Sequence, residues 1–153
     1  MDDLPRSFVI RESSHRIHNP FTSEKLATLG RALRLSPGTS MLIGEPYWRR
    51  EPPDQATVDG CRGIGMEDWL PLPELIESFG PLGCDVVEMV LADQDSWDRY
   101  VAAQWLSIRR WLDANPHDEL AAEMRAELAS SPARHVRYRR EYLGWGVFAL
   151  MNR

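Results

Sequence analysis

The sequence predicts an α/β domain. Two short apolar runs rich in strand formers, Ser40–Gly44 ("SMLIG") and Cys84–Asp93 ("CDVVEMVLAD"), alternate with segments whose apolar residues recur at helical spacing. A third apolar run, Trp145–Met151, follows a glycine near the end of the chain. The predicted order is helix, strand, long loop, helix, strand, three helices, strand.

Each element has a local reason. Thr22 is a good N-cap for a helix that places Leu26, Leu29, Gly30 and Leu33 on one face and ends near Ser36, because the residue before a proline is pushed out of the α region. Pro37 and Gly38 make a turn into the first strand, Ser40–Gly44. From Glu45 to Pro73 the chain carries five prolines and three glycines, which predicts a long ordered loop or lid with one helical turn around Met66–Leu70. Pro73 suits the first turn of a helix burying Leu72, Leu75, Ile76 and Phe79, stopped by "GPLG".

Cys84–Asp93 is apolar on both faces, as expected of a strand covered by helices on each side. Asp95 or Ser96 caps a helix over Trp97–Ala114 with Trp97, Val101, Trp105, Ile108 and Leu112 in its stripe. Asn115-Pro116 and Ser131-Pro132 each start a further helix. The first two strands are expected to pair or neighbour in parallel, with the last returning antiparallel.

The totals bound the function. The 153 residues, 43% hydrophobic and 27% charged, fit one domain over 1–153, divided into a helical segment 1–36, a strand-loop-helix-strand unit 40–93, helices 95–143 and a last strand 145–151. A net charge of -5 argues against binding to phosphate backbones. The apolar runs are shorter than the ~20 residues that span a bilayer. Cys61 and Cys84 lack metal-type spacing, and the chain lacks a secretory apolar core, so free thiols in a cytoplasm are expected. One lysine against seventeen arginines suggests a GC-rich bacterial genome.

The stretch "LSPGTSMLIGEPYW", Leu35–Trp48, resembles the part of class I S-adenosylmethionine-dependent methyltransferases in which a Pro-Gly turn precedes the fifth strand of a Rossmann-like sheet. The resemblance continues to the C-terminus, with Cys84–Asp93 as the sixth strand, a helical insertion, and Trp145–Met151 as the antiparallel seventh between them. "RIHNPFTSEKLATLGRALRLSPGT" is similar to the helix that such enzymes place before their first strand, ending in an equally similar turn. The chain therefore reads as a shortened, three-stranded remnant of that sheet, two strands parallel and the last antiparallel in the middle.

The resemblance implies S-adenosylmethionine as cofactor and a small molecule as methyl acceptor. The family's glycine-rich turn after the first strand, which lets the backbone approach the cofactor closely, has no counterpart: Glu-Pro-Tyr-Trp follows "SMLIG", and "RGIG" at Arg62–Gly65 has no strand before it. The residues that would bind the cofactor are thus unassigned. Two functions stay open, a methyltransferase-type enzyme impaired or inactive alone, and a non-catalytic binding or dimerisation module. The fifth-strand equivalent, Ser40–Gly44, is left as an apolar edge, which predicts a homodimer through residues 40–44, addition to another chain, or aggregation.

Candidate site residues follow from position. Glu45, at the carboxyl end of a strand where α/β sheets bind ligands, is the candidate general base or orienter of a substrate hydroxyl or amine, with Tyr47 and Trp48 as pocket walls. The plain alternative is that the two aromatics cover the end of the sheet. In the family the segment before the first helix borders the active site, which makes His18, Asn19 and Phe21 candidates for substrate contact. His15 and His18 lack a third ligand, so no metal site is expected. The arginines of "ARHVRYRREY" read as a solvated face.

Overall fold

The structure is a computed structural model of the 153-residue chain and describes residues 4–15, 20, 22–34, 40–62, 65 and 68–153. Its elements are α1 (Arg6–Glu12), α2 (Ser23–Arg34), β1 (Ser40–Trp48), α3 (Gln55–Cys61), α4 (Leu72–Ser78), β2 (Cys84–Leu91), α5 (Gln94–Ala114), α6 (Ala121–Arg134), a π-helical turn (His135–Arg139), α7 (Arg140–Tyr142) and β3 (Leu143–Asn152).

The three strands form one sheet in the order β1-β3-β2, with both ladders antiparallel. The last strand lies in the middle as expected. The expected parallel strands are corrected: β3 separates β1 from β2, so each exhausts that side of its backbone on an antiparallel partner. The parallel contact that does occur is an isolated bridge from Trp48 to Pro71.

Alternation along the strands divides the core. On one face α4 lays Leu72, Leu75, Ile76 and Phe79 against Ile43, Tyr47, Phe148 and Leu150. Gly144 is required there, because a Cβ at that position would fall inside the Tyr47 ring. On the other face Leu29 of α2 covers Val90 and Val147, while α3, α5 and the π turn bring Val58, Cys61, Trp97 and Tyr138 onto Trp48, Leu143 and Trp145. A third cluster joins Ile10 of α1 to Ile108, Leu112, Ala121 and Met124.

Several boundaries differ from the sequence expectation for tertiary reasons. The first strand does not stop at Gly44 but runs to Trp48, its register carried to Leu143 of β3. The 45–73 stretch accordingly holds the end of a strand and the helix α3, capped by Asp54, whose side chain accepts from the Thr57 amide at 2.8 Å. β2 is not covered on both faces throughout, since Val87 and Met89 are exposed. Asp93, not Asp95 or Ser96, caps α5, accepting from the Ser96 amide at 2.8 Å.

Lys25 Nζ also donates to Asp93 at 2.7 Å, and this contact, with the capping amide, holds the Asp93 carboxyl well below the usual carboxylate range. The single lysine thereby ties α2 to the end of β2.

Pro132 does not start a helix; it lies in the last turn of α6. Contacts on both sides of it hold the chain against α5: Trp105 Nε1 donates to Ser131 Oγ at 3.1 Å, and the buried His135 pairs through Nε2 with Asp98 at 2.8 Å. The helix therefore continues and widens into the π turn. Burial, opposed by the Asp98 hydrogen bond, pushes the His135 ring below its ordinary value.

α1 stands ahead of the helix expected to start at Thr22, where the sequence predicts no separate helix. Its buried face combines Ile10 with a carboxylate, Glu12, and a buried charge breaks the apolar periodicity that signals a helix. Among the described residues no helix is long and apolar enough to cross a membrane.

Candidate functional site

Glu45, Pro46, Tyr47 and Trp48 belong to β1, so neighbouring side chains point to opposite faces. Tyr47, 6% exposed, packs on the α4 side, whereas Trp48, 3% exposed, enters the aromatic cluster on the other side. Glu45, half-buried, shares the Tyr47 face and stands opposite Gly146. At the strand's end a cleft of about 480 Å³ is lined by Tyr47, Trp48, Arg49, Glu51 and Pro71, among others, and Glu45 is not among its lining residues. The structure thus brings Tyr47 and Trp48 to one cleft from two faces. His18, Asn19 and Phe21 lie outside the described residues.

A denser polar cluster, not picked out from the sequence, lies between α1, α5 and the π turn. Glu12 is 7% exposed and accepts three hydrogen bonds, from Gln104 Nε2 at 2.6 Å, His15 Nδ1 at 2.8 Å and the Tyr100 hydroxyl at 3.0 Å. Trp97, Tyr100 and Gln104 follow one another on one face of α5, at spacings of three and four. His15 stacks on Tyr100 with centroids 4.2 Å apart, and Tyr100 stacks on Trp97 at 6.3 Å. Arg139 lies over the Trp97 ring at 5.6 Å.

The electrostatics of this cluster are unusual. Burial, with the Glu12 carboxylate beside it, pushes the Tyr100 phenol upward. Burial and the neighbouring Arg62 guanidinium push Arg139 downward, with no carboxylate of the described residues to offset them. The buried Cys61 thiol is pushed up to about 11, an effect that Arg139 only partly offsets.

Among the described residues five buried side-chain polar atoms have no hydrogen-bond partner, and four belong to this region: His15 Nε2, Trp97 Nε1, Arg139 Nε and Trp145 Nε1. The sequence carried one signal for it, the alternation of aromatic and polar residues at 97, 100 and 104, which the longer apolar stripe through Val101, Ile108 and Leu112 overshadowed.

Among the described residues no glycine at the ligand-binding end of the sheet offers a cradle for S-adenosylmethionine. Close backbone approach needs open space over glycine, yet Gly60 is covered by Tyr138, Gly144 by Tyr47, and Gly146 by Leu91 and Phe148. Gly83, with φ +76° and open space around it, stands at the amino end of β2, opposite to the end at which α/β sheets bind ligands. Among the described residues no group of three potential ligands could hold a metal ion.

The chain matches no family model. It is 38% identical to the uncharacterized protein YjhP of Escherichia coli (strain K12) over 247 residues, covering 99% of this chain and all of that protein. Among solved structures, it resembles a SAM-dependent methyltransferase from Geobacter sulfurreducens in complex with S-adenosyl-L-homocysteine, with 41% identity, a TM-score of 0.93 and complete coverage of both chains. A second such complex, from Thiobacillus denitrificans, has 39% identity and a TM-score of 0.92 over 99% of this chain and all of that one. The X-ray structure of YjhP gives 40% and 0.90 over 98% of this chain and all of that one. With a methyltransferase-like arrangement of strands and an extended match to such proteins at about 40% identity, the chain belongs to the class I S-adenosylmethionine-dependent methyltransferase family.

Proposed function

We propose that this chain is the acceptor-binding part of a small-molecule methyltransferase and does not by itself carry out methyl transfer. The observation that carries the reading is that, among the described residues, Gly60, Gly144 and Gly146 are filled by the chain's own side chains and leave no cofactor cradle there. The lengths support it: the alignment with YjhP runs over 247 residues and spans both proteins, whereas this chain has 153. The surplus then falls inside the chain, between the look-alike turns before the first and fifth strands of the family. The homologues crystallised with S-adenosyl-L-homocysteine make S-adenosylmethionine the cofactor that the missing part would hold. In this reading Tyr47 and Trp48, with His18, Asn19 and Phe21, are the candidates for acceptor contact, and Glu45 is the candidate general base.

Thermal melts with S-adenosyl-L-homocysteine test it. At about 1 mM ligand a micromolar site would stabilise the chain by about 4 kcal/mol, raising the melting temperature by roughly 10 °C. No shift is expected, and a shift of that size would overturn the reading.

A second reading, a dimerisation module, is favoured by the outer edge of β1. Met41 and Leu42 are 47% and 40% exposed there. The Trp48 amide is covered by the Leu70 carbonyl at 3.0 Å, and Pro46 has no N–H, which leaves residues 40–45 as the open stretch. Sedimentation velocity should show a dimer that Leu42→Lys converts to monomer. A wild-type chain that stays monomeric at high concentration contradicts this.

A further inference from the structure

We infer that His15, Trp97, Tyr100, Arg139 and Trp145 form the binding site of an anionic planar small molecule, an aromatic carboxylate carrying a hydroxyl or amino group. The inference rests on reading the chain as the acceptor-binding part of a methyltransferase, and it names the class of acceptor.

The donors define the anionic end. Buried polar groups in native proteins almost always have partners, yet here two indole N–H groups and the Arg139 Nε are buried without one. All three are donors, so a ligand group that pairs with them is an acceptor. Among the described residues no carboxylate pairs with Arg139, and its basic neighbours Arg62 and Arg134 already share the carboxylate of Glu127. In a chain of net charge -5, this is a local excess of positive charge facing an aromatic wall. A carboxylate fits it better than a neutral carbonyl, because hydrogen bonds to a charged acceptor are stronger and shorter.

The rings define the shape. His15 lies nearly parallel to Tyr100, at 17°, and Tyr100 nearly parallel to Trp97, at 18°. A planar ligand extends such a stack with little loss of conformational freedom.

His15 defines the far end. Its Nδ1 faces Glu12 and its Nε2 is buried without a partner, so that in the tautomer with the proton on Nδ1 the Nε2 lone pair is an acceptor. A ligand hydroxyl or amine donates to it. Glu12 is therefore a positioning residue, fixing the ring's tautomer and orientation. The location agrees with the fold, since Trp145 and the Trp48 cluster lie where β1 and β2 end and β3 begins.

Nuclear magnetic resonance of the full chain with ¹⁵N-labelled tryptophan tests the inference. The probes are 4-hydroxybenzoate, 4-aminobenzoate and indole-3-carboxylate, with 4-hydroxybenzamide as the neutral control. The Trp97 and Trp145 indole N–H signals should move saturably with at least one carboxylate, while that of Trp105, bonded to Ser131, stays in place. The neutral control and the Arg139→Gln variant should each bind at least about tenfold more weakly.

The inference is overturned if none of the three carboxylates moves these signals up to about 10 mM, or if the amide binds equally well. Equal binding by Arg139→Gln overturns it too. The wild-type titration stands even if that variant fails to fold. S-adenosyl-L-homocysteine is titrated separately: cofactor binding would overturn the proposed function and leave the acceptor site standing, whereas silent carboxylates would do the reverse.

Discussion

Phe148→Ala is expected to cost about 3–5 kcal/mol of stability. Phe148 is fully buried on the central strand β3 and meets the Phe79 ring of α4 with centroids 5.5 Å apart, above the glycine gap at Gly146. Both edge strands hydrogen-bond only to β3 among the described strands, so a cavity at this point loosens the element on which the sheet depends. For a domain whose total stability is typically 5–15 kcal/mol, the loss is a large fraction, and a fall in melting temperature of roughly 10 °C follows. Thermal and urea unfolding followed by circular dichroism measure it. A loss below about 1 kcal/mol would mean that the core does not centre on β3.

Glu12→Leu is expected to cost roughly 3–5 kcal/mol, the usual penalty for removing one partner of a buried polar network. The substitution keeps an apolar volume but leaves the Tyr100 hydroxyl, Gln104 amide and His15 Nδ1 without the acceptor they share. α1 should loosen from α5 first, read as faster amide exchange over residues 6–12. Glu12→Gln keeps an acceptor oxygen and should recover part of the loss. Adding Tyr100→Phe to Glu12→Leu should cost much less than Tyr100→Phe alone, because the two changes remove the same bond. Additive effects would contradict the network.

The elements that were legible in the sequence are those whose signals are local. Pro73 at a helix start and the apolar runs at 84–93 and 145–151 all fell near their places, although the glycine expected to precede the last strand lies within it. The sheet order followed from the family resemblance, not from periodicity. What escaped is non-local. Nothing near Pro132 indicates that Ser131 and His135 are pinned to α5 from both sides, turning a helix start into the end of one. The first strand's extension to Trp48 depends on Leu143, ninety-five residues away, supplying the partner.

The site divides in the same way. Tyr47 and Trp48 were legible from the strand-end position, although alternation sends them to different faces. The cluster around Glu12 gathers residues from 12, 15, 97, 100, 104 and 139, and only the three on α5 share a linear spacing. A buried glutamate in α1 reads as surface until its three donors are known.

The measurement that bears most directly on the whole account is a calorimetric titration of the purified chain with S-adenosylmethionine and S-adenosyl-L-homocysteine. The account predicts no saturable heat up to millimolar ligand, because among the described residues Gly60, Gly144 and Gly146 are filled by Tyr138, Tyr47, Leu91 and Phe148. Saturable binding near micromolar, about -8 kcal/mol, would contradict it and show a complete methyltransferase site in the shortened chain.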